Sequence, residues 1–268
     1  MPTATQLLIV DPQNDFCDVP CAALPVPGAK ADLQRLAAFV DRCGERIGNI
    51  HVTLDAHHVL DIAHPGWWQD EAGQLPAPFT VISREDVLQK RWSPRNPALQ
   101  AHALTYVCAL EQRGRYQHII WPEHCLVGSW GVGVQADLHG ALNRWCHRTL
   151  RSVRYTPKGL NTNTEHYSAL QAEVPDLADP RTMANDALLS LLAQAEHLII
   201  GGQSLSHCLA ATVYDIAALL GPPAIRKMTL LVDCTSPVAG FEELGARFIA
   251  DLTSRGMRVA NSTELQLA

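Results

Sequence analysis

Cys208 stands at a seam in the sequence. Leu198 to Gly221 reads LIIGGQSLSHCLAATVYDIAALLG: an apolar run, two glycines, a small polar loop, then apolar residues at helical spacing that begin at the cysteine. A thiol at the first turn of a helix faces unpaired backbone N–H groups and the positive end of the dipole, and both favour thiolate. The loop from Gly202 to His207 can aim further N–H groups at a developing oxyanion, as a strand-turn-helix nucleophile requires. Packing is the competing reading, because free cysteines often behave as small buried hydrophobes. His207 adjoins the thiol, but neighbours at a helix start point in different directions, which makes it a pocket-lining residue rather than a base.

Two further stretches carry acid-base or metal chemistry. LLIVDPQNDFCD sets Asp11 at the end of an apolar strand, where a carboxylate can take a thiol's proton and return it to a leaving amine; capping a turn is its plainer role. In HVTLDAHHVLDIAHPGWW, Asp55 and His57 are two apart and so share one side of a strand, with His64 following in the loop. WPEHC adds His124 just past another apolar run. One carboxylate and three imidazoles suit zinc or another first-row divalent metal, although clustered histidines also occur in solvated turns, and His58 is a competing ligand.

The elements that must position these groups follow from periodicity. Strands are expected at Gln6 to Asp11, Asn49 to Asp55, His118 to Trp121, Arg151 to Tyr155, His197 to Gly201, Met228 to Asp233 and Met257 to Ala260. Helices are expected at Ala29 to Cys43, Ala184 to Ala195, Leu209 to Leu220 and Phe241 to Arg255. Strands alternating with helices imply a three-layer α-β-α fold with a mostly parallel central sheet, and ligands collect at the carboxyl ends of its strands. Residues 1–268 read as one domain. An irregular insertion at about 65–117 holds a short strand from Phe79 to Ser83 and a helix from about Pro97 to Gln112, and would serve as a lid, a dimer arm or decoration.

Composition narrows the class. The 268 residues are 47% hydrophobic and 18% charged, enough for a sizeable core, and the net charge of -6 leaves no basic stripe for nucleic acid. No run reaches the roughly 20 apolar residues of a membrane helix, and the opening MPTATQLLIVDPQNDF lacks the order of a signal peptide, so a cytoplasmic protein is expected. The 8 cysteines are scattered without a CxxC pair, and most of them should be free thiols. Cys43, Cys108 and Cys146 fall on helical patterns and read as core.

Taken in order, LLIVDPQNDFCD, DAH…H, WPEHCLVGSWG, YTPKGLNTNTEHYSAL and GGQSLSHCLAAT resemble the motifs of the nicotinamidase/isochorismatase-like cysteine hydrolases, the nicotinamidase branch above all. The resemblance spans nearly the whole chain. It implies a catalytic set of Asp11, Lys158 and Cys208, an oxyanion hole from the backbone N–H groups of Ser204 and Cys208, and a cis peptide at Gln203-Ser204. It also implies Phe16 and Trp121 as aromatics sandwiching a substrate ring, and Asp55, His57, His64 and His124 as ligands of a divalent metal, zinc with manganese or iron as alternatives. The activity implied is hydrolysis of a small amide, nicotinamide to nicotinate and ammonia, through a thioester. The expected partners are a small-molecule amide and, in a homo-oligomer, further copies of the chain. A related amidase or carbamoyl hydrolase is the alternative, as is a metal-water hydrolase in which Cys208 is incidental. The chain reads Ser204, Leu205, Ser206, His207 where the family often has a small-Thr-Asp segment, and the insertion is longer than in compact nicotinamidases.

Overall fold

Leu7, Leu8, Ile9 and Val10 are all fully buried, and this run forms the centre of β1 (Thr5–Val10). Side chains alternate across a strand, so burial of every residue requires a packed layer on each face. The computed structural model describes residues 5–267; residues 1–4 and 268 of the expected domain lie outside the described residues. In chain order β1 is followed by α1 (Ala29–Cys43), β2 (Asn49–Asp55), β3 (Trp68–Gln69), α2 (Arg84–Leu88), β4 (Ser93–Pro94), α3 (Gln100–Arg113), α4 (Ala136–Thr149) and β5 (Arg154–Lys158). Then come α5 (Asp186–Ala193), β6 (His197–Gly202), α6 (Cys208–Leu220), α7 (Pro222–Ile225), β7 (Met228–Leu231), α8 (Glu242–Ser254) and β8 (Arg258–Ala260).

Six strands form one sheet in the order β5-β2-β1-β6-β7-β8, with every neighbouring pair parallel. Leu7 and Ile9 face a core closed by α1 and α4, while Leu8 and Val10 face one closed by α5, α6 and α8. These are the three layers expected from the sequence. On α1, Leu33, Leu36, Ala37 and Val40 bury the stripe that helical spacing dictates. α6 is buried almost all round over its first turns, because Ala210 and Ala211 let it settle close to its neighbours.

The structure corrects three expectations. His118 to Trp121 is not a strand of the sheet: β5 occupies the position beside β2, and the segment instead bridges Val81 through Ile119. Phe79 to Ser83 is correspondingly reduced to that single bridge. The strand expected at Arg151 to Tyr155 lies at Arg154–Lys158, shifted toward the carboxyl side, and its Pro157 is tolerated because β5 is an edge strand. α4 is an additional helix, with Leu138, Ala141, Leu142 and Trp145 buried at the same spacing as in α1. The helix expected from Pro97 begins as a turn of 3-10 helix and becomes α3 at Gln100.

Between β2 and α4 the chain builds a small core of its own, in which Trp68, Tyr106, Val107 and Leu110 pack with Ile82 and Ile120. No helix among the described residues is long and apolar enough to cross a membrane. All 8 cysteines are free, with Cys43 buried and Cys108 and Cys146 half-buried.

Candidate active site

Successive strands are added outward from β1 in one direction and from β6 in the other, so the strand order reverses between them. That reversal opens a crevice at the carboxyl ends of the two strands. Asp11 follows β1 directly, and Cys208 opens α6 a short loop after β6. Asp55 and Lys158 end β2 and β5 and are paired in register. Four adjacent strands therefore deliver four functional groups to one edge. The close approach of β6 to β1 depends on Gly202, whose φ is +110° and where an added Cβ would lie 2.0 Å from the Val10 carbonyl oxygen.

Asp11 has a φ of 41°, unusual for a residue with a side chain. Thr53 on β2 holds it there: the Asp11 N–H donates to Thr53 Oγ1 at 3.1 Å, and Thr53 Oγ1 donates to Asp11 Oδ1 at 2.5 Å. Lys158 Nζ lies 3.0 Å from Asp11 Oδ2, 2.9 Å from Asp55 Oδ1 and 3.6 Å from Cys208 Sγ, and donates to the His166 carbonyl at 2.8 Å. The Asp11 contact is an ion pair without hydrogen-bond alignment, which leaves Oδ2 without a hydrogen-bond partner. An oxygen of Asp11, an oxygen of Asp55 and Cys208 Sγ all lie within 4.8 Å of one another.

Burial sets the protonation of this cluster. It raises the Asp11 carboxyl above the usual range, against the nearby Lys158 ammonium. Burial also works against the Lys158 charge, but Asp11 and Asp55 outweigh it and hold the ammonium protonated well above its ordinary value. The Cys208 thiol is pushed well up by burial even though Lys158 draws it down. Removal from water therefore opposes thiolate at rest, while the Lys158 ammonium beside it favours thiolate.

The backbone of the loop before α6 is arranged around the thiol. The Gln203-Ser204 peptide is cis. The Gln203 N–H donates to Val10 O and the Leu205 N–H to Ser236 O, whereas the N–H groups of Ser204 and Cys208 donate to no group among the described residues. Ser204 and Cys208 line one narrow cavity, together with Phe16, Trp121, His124 and Glu165.

Beside it, His57, His64 and His124 each offer a ring nitrogen within 4.8 Å of the others. Asp55 Oδ2 lies 3.0 Å from His57 Nε2 and 3.5 Å from His124 Nε2. The opposite ring nitrogens point at oxygen acceptors: His57 Nδ1 at Asp61 Oδ2 (3.1 Å), His64 Nδ1 at the His58 carbonyl (3.2 Å) and His124 Nδ1 at the Pro122 carbonyl (2.8 Å). His64 Nε2 also lies 3.3 Å from His124 Nδ1. Burial opposes charge on His57, but the carboxylates of Asp55 and Asp61 on either side hold its ring protonated well above the ordinary value, so a cation bound here would take the place of the His57 Nε2 proton. Three imidazoles beside a carboxylate are the donor set of a first-row metal, with its outer support, so the residues fit a divalent cation. His58 contributes only its carbonyl, and its side chain is exposed.

Several residues at this edge were missed in the sequence. Asp61 holds His57 from four residues away, within a stretch read for Asp55 and its histidines. Gln13 brackets Asp55, its amide donating to Asp55 O at 2.7 Å and accepting from Asp55 N–H at 2.7 Å. Glu165 lines the cavity with its carboxyl pushed up to about 7 by burial. Tyr167 accepts from Trp121 Nε1 at 2.9 Å and fixes that indole.

These features define a parallel α/β protein with a cysteine, lysine and aspartate cluster next to a histidine-rich metal-type site. No protein-family model matches the chain, and no curated protein sequence matches it. Solved structures do. The chain is similar to a yeast nicotinamidase bound to the inhibitor nicotinaldehyde, with a TM-score of 0.66 and 21% identity over 96% of this chain and 99% of that one. It is similar to the pyrazinamidase of Pyrococcus horikoshii in complex with zinc (TM-score 0.58, 19% identity, 96% and 99% covered). An isochorismatase family protein from Desulfovibrio vulgaris matches with a TM-score of 0.53 and 16% identity, covering 97% of this chain and 95% of that one. The fold is that of the nicotinamidases and isochorismatase family proteins.

Proposed function

We propose that the chain is a cysteine hydrolase of small amides, with nicotinamide, cleaved to nicotinate and ammonia, as the best-supported substrate. One observation carries the reading: the thiol, the lysine and the aspartate of three different strand ends converge beside two backbone N–H groups that find no acceptor among the described residues. Asp11 Oδ2 takes the Cys208 proton as the sulfur attacks the amide carbon, and the N–H groups of Ser204 and Cys208 bind the oxyanion. Asp11 returns the proton to the departing nitrogen, and ammonia leaves a thioester. Water then attacks the thioester with Asp11 as base, releasing the carboxylic acid and the thiol. Lys158 stays charged throughout and stabilises the thiolate as it forms.

Asp55, His57, His64 and His124 would hold the divalent metal. Bound there, the metal supplies a Lewis acid that orients a ring nitrogen or a water beside the amide. Phe16 and Trp121 line the space for a flat ring. The zinc-bound pyrazinamidase relative and the nicotinaldehyde-bound nicotinamidase support the metal and the substrate class. A related amide with more polar groups is the second reading, favoured by the buried Glu165 and His207 on the cavity wall.

Ammonia release from nicotinamide and a panel of small amides tests both readings. Native protein should turn over at least one of them and Cys208→Ala none. Full turnover by Cys208→Ala would overturn the thioester scheme.

A further inference from the structure

His207 lines the cavity and carries a polar ring atom that the hydrolysis scheme does not use. The residue is 2% exposed, and its Nε2 has no hydrogen-bond partner among the described residues. Its other ring nitrogen is engaged. The Val238 N–H donates to Ser206 Oγ at 3.0 Å, and Ser206 Oγ lies 2.9 Å from His207 Nδ1. The Ser206 hydroxyl has one proton and finds no other acceptor among the described residues, so it donates to Nδ1. The imidazole proton is thereby assigned to Nε2. Burial pushes His207 down to about 3, and the ring carries that single proton at neutral pH.

The ring is also fixed in direction. Tyr116 stacks on it at 5.2 Å and 22°, while Trp121 and Phe241 meet it edge-on at 5.1 and 4.9 Å. A buried N–H held rigidly against a ligand cavity without an acceptor is costly unless the ligand supplies one. The carboxamide oxygen is engaged elsewhere, by the two backbone N–H groups, and the metal-type site takes an acceptor on its own side.

We propose that His207 is a specificity-determining residue whose Nε2–H donates to the substrate, and that the preferred substrate is a small planar carboxamide carrying a second acceptor besides the one turned toward His57, His64 and His124. The inference rests on the amide hydrolase reading above and, within it, ranks a carboxamide with two ring acceptors above nicotinamide. A ring with one nitrogen leaves this donor unpaired. A ring nitrogen or oxygen facing His207 pairs it, and discrimination built on such a buried pairing is large.

Nicotinamide and three diazine carboxamides test this, because pyrazine-2-, pyrimidine-5- and pyridazine-4-carboxamide place a second nitrogen at three different ring positions. In native protein at least one diazine should exceed nicotinamide in kcat/KM by about tenfold. In His207→Phe, which keeps a stacked ring but lacks the N–H, that ratio should fall to about one. Absence of any advantage in native protein, or an advantage that survives His207→Phe, overturns the proposal. A second readout does not depend on turnover. In Cys208→Ala with 15N-labelled histidine, the His207 Nε2 proton should be observed and should move when the favoured carboxamide is added. A proton on Nδ1 overturns the proposal, and so does an Nε2 resonance that no carboxamide moves. Failure of the hydrolase reading looks different: the resonance moves with a carboxamide that native protein does not cleave.

Discussion

Lys158 Nζ sits 3.0 Å from Asp11 Oδ2, and both groups are buried from water. Two carboxylates, Asp11 and Asp55, share this one ammonium, so its removal leaves negative charge in a site with little water to receive it. Lys158→Met should destabilise the fold by about 3–5 kcal/mol, the range for breaking a buried pair from one side. On the proposed scheme the same variant should also lose hydrolysis, because the ammonium stabilises the thiolate as it forms. Urea unfolding and ammonia release measure the two effects separately. Asp11→Asn should keep most of the stability and lose about 10²–10⁴-fold in kcat, as expected for removal of a general base.

The support behind His57 makes a second prediction. Asp61 accepts from His57 Nδ1 and orients the ring so that Nε2 faces Asp55 and the other two imidazoles. Asp61→Asn keeps the shape but weakens that orientation, and should lower zinc affinity by about 10–100-fold. Zinc titration of the purified apoprotein, followed by calorimetry, reads this directly. Equal affinities in native and variant protein would mean that His57 is positioned without Asp61.

Acid stability gives a third, away from the site. His118 is wedged between Trp68 and Tyr106, and burial pushes it down to about 3 from the ordinary value of 6.5. The unfolded chain therefore binds a proton between those two values that the folded chain refuses. Stability contributed by the neutral ring is present above about pH 6.5 and is lost progressively as pH falls toward 3. At pH 4 the loss from this group is about 3 kcal/mol on the scale of 1.36 kcal/mol per pKa unit. Denaturant unfolding at pH 7 and pH 4 should show the drop, and His118→Phe should reduce it.

How much of this was legible follows residue by residue. The apolar run from Leu7 to Val10 announces a strand buried on both faces, and the helical spacing of Leu33, Leu36 and Val40 fixes α1 without any knowledge of its partners. The buried stripe of α4, Leu138 to Trp145, has the same spacing and was legible too, but it is interrupted by charged and small residues and went unread. His118 to Trp121 has strand-like composition and still lies outside the sheet, because pairing depends on which segment takes the edge beside β2, and that is decided by tertiary packing. Asp11, Asp55 and Cys208 were found by type and position and Lys158 through the resemblance alone, and the structure brings the four together. Asp61, Gln13 and Glu165 were not, because residues that orient other residues carry no signature until their neighbours are placed.

The long insertion has a definite structural consequence, which supplies the last prediction. Its final residues, Arg115 and Tyr116, reach across to α6 and the loop before it: Arg115 pairs with Glu173 and, at 2.6 Å, with Asp215 on α6, while the Tyr116 hydroxyl lies 3.3 Å from both the Ser206 and His207 carbonyl oxygens. The guanidinium also lies 5.6 Å from the Tyr116 ring centroid, so ring and ion pair are set as one unit. Glu173 and Asp215 are buried, and Arg113 reaches them only at 4.0 and 3.8 Å. Arg115→Met should therefore cost about 3–5 kcal/mol by stranding two carboxylates. Tyr116→Phe removes only the hydroxyl, which should leave stability within about 1 kcal/mol of native, the worth of a typical hydrogen bond. Its effect should fall on the loop that carries Cys208, as a lower kcat for amide hydrolysis with a smaller change in KM. If Tyr116→Phe alters neither constant, the insertion braces the sheet edge without tuning the thiol, and the contact between Tyr116 and the loop is packing alone.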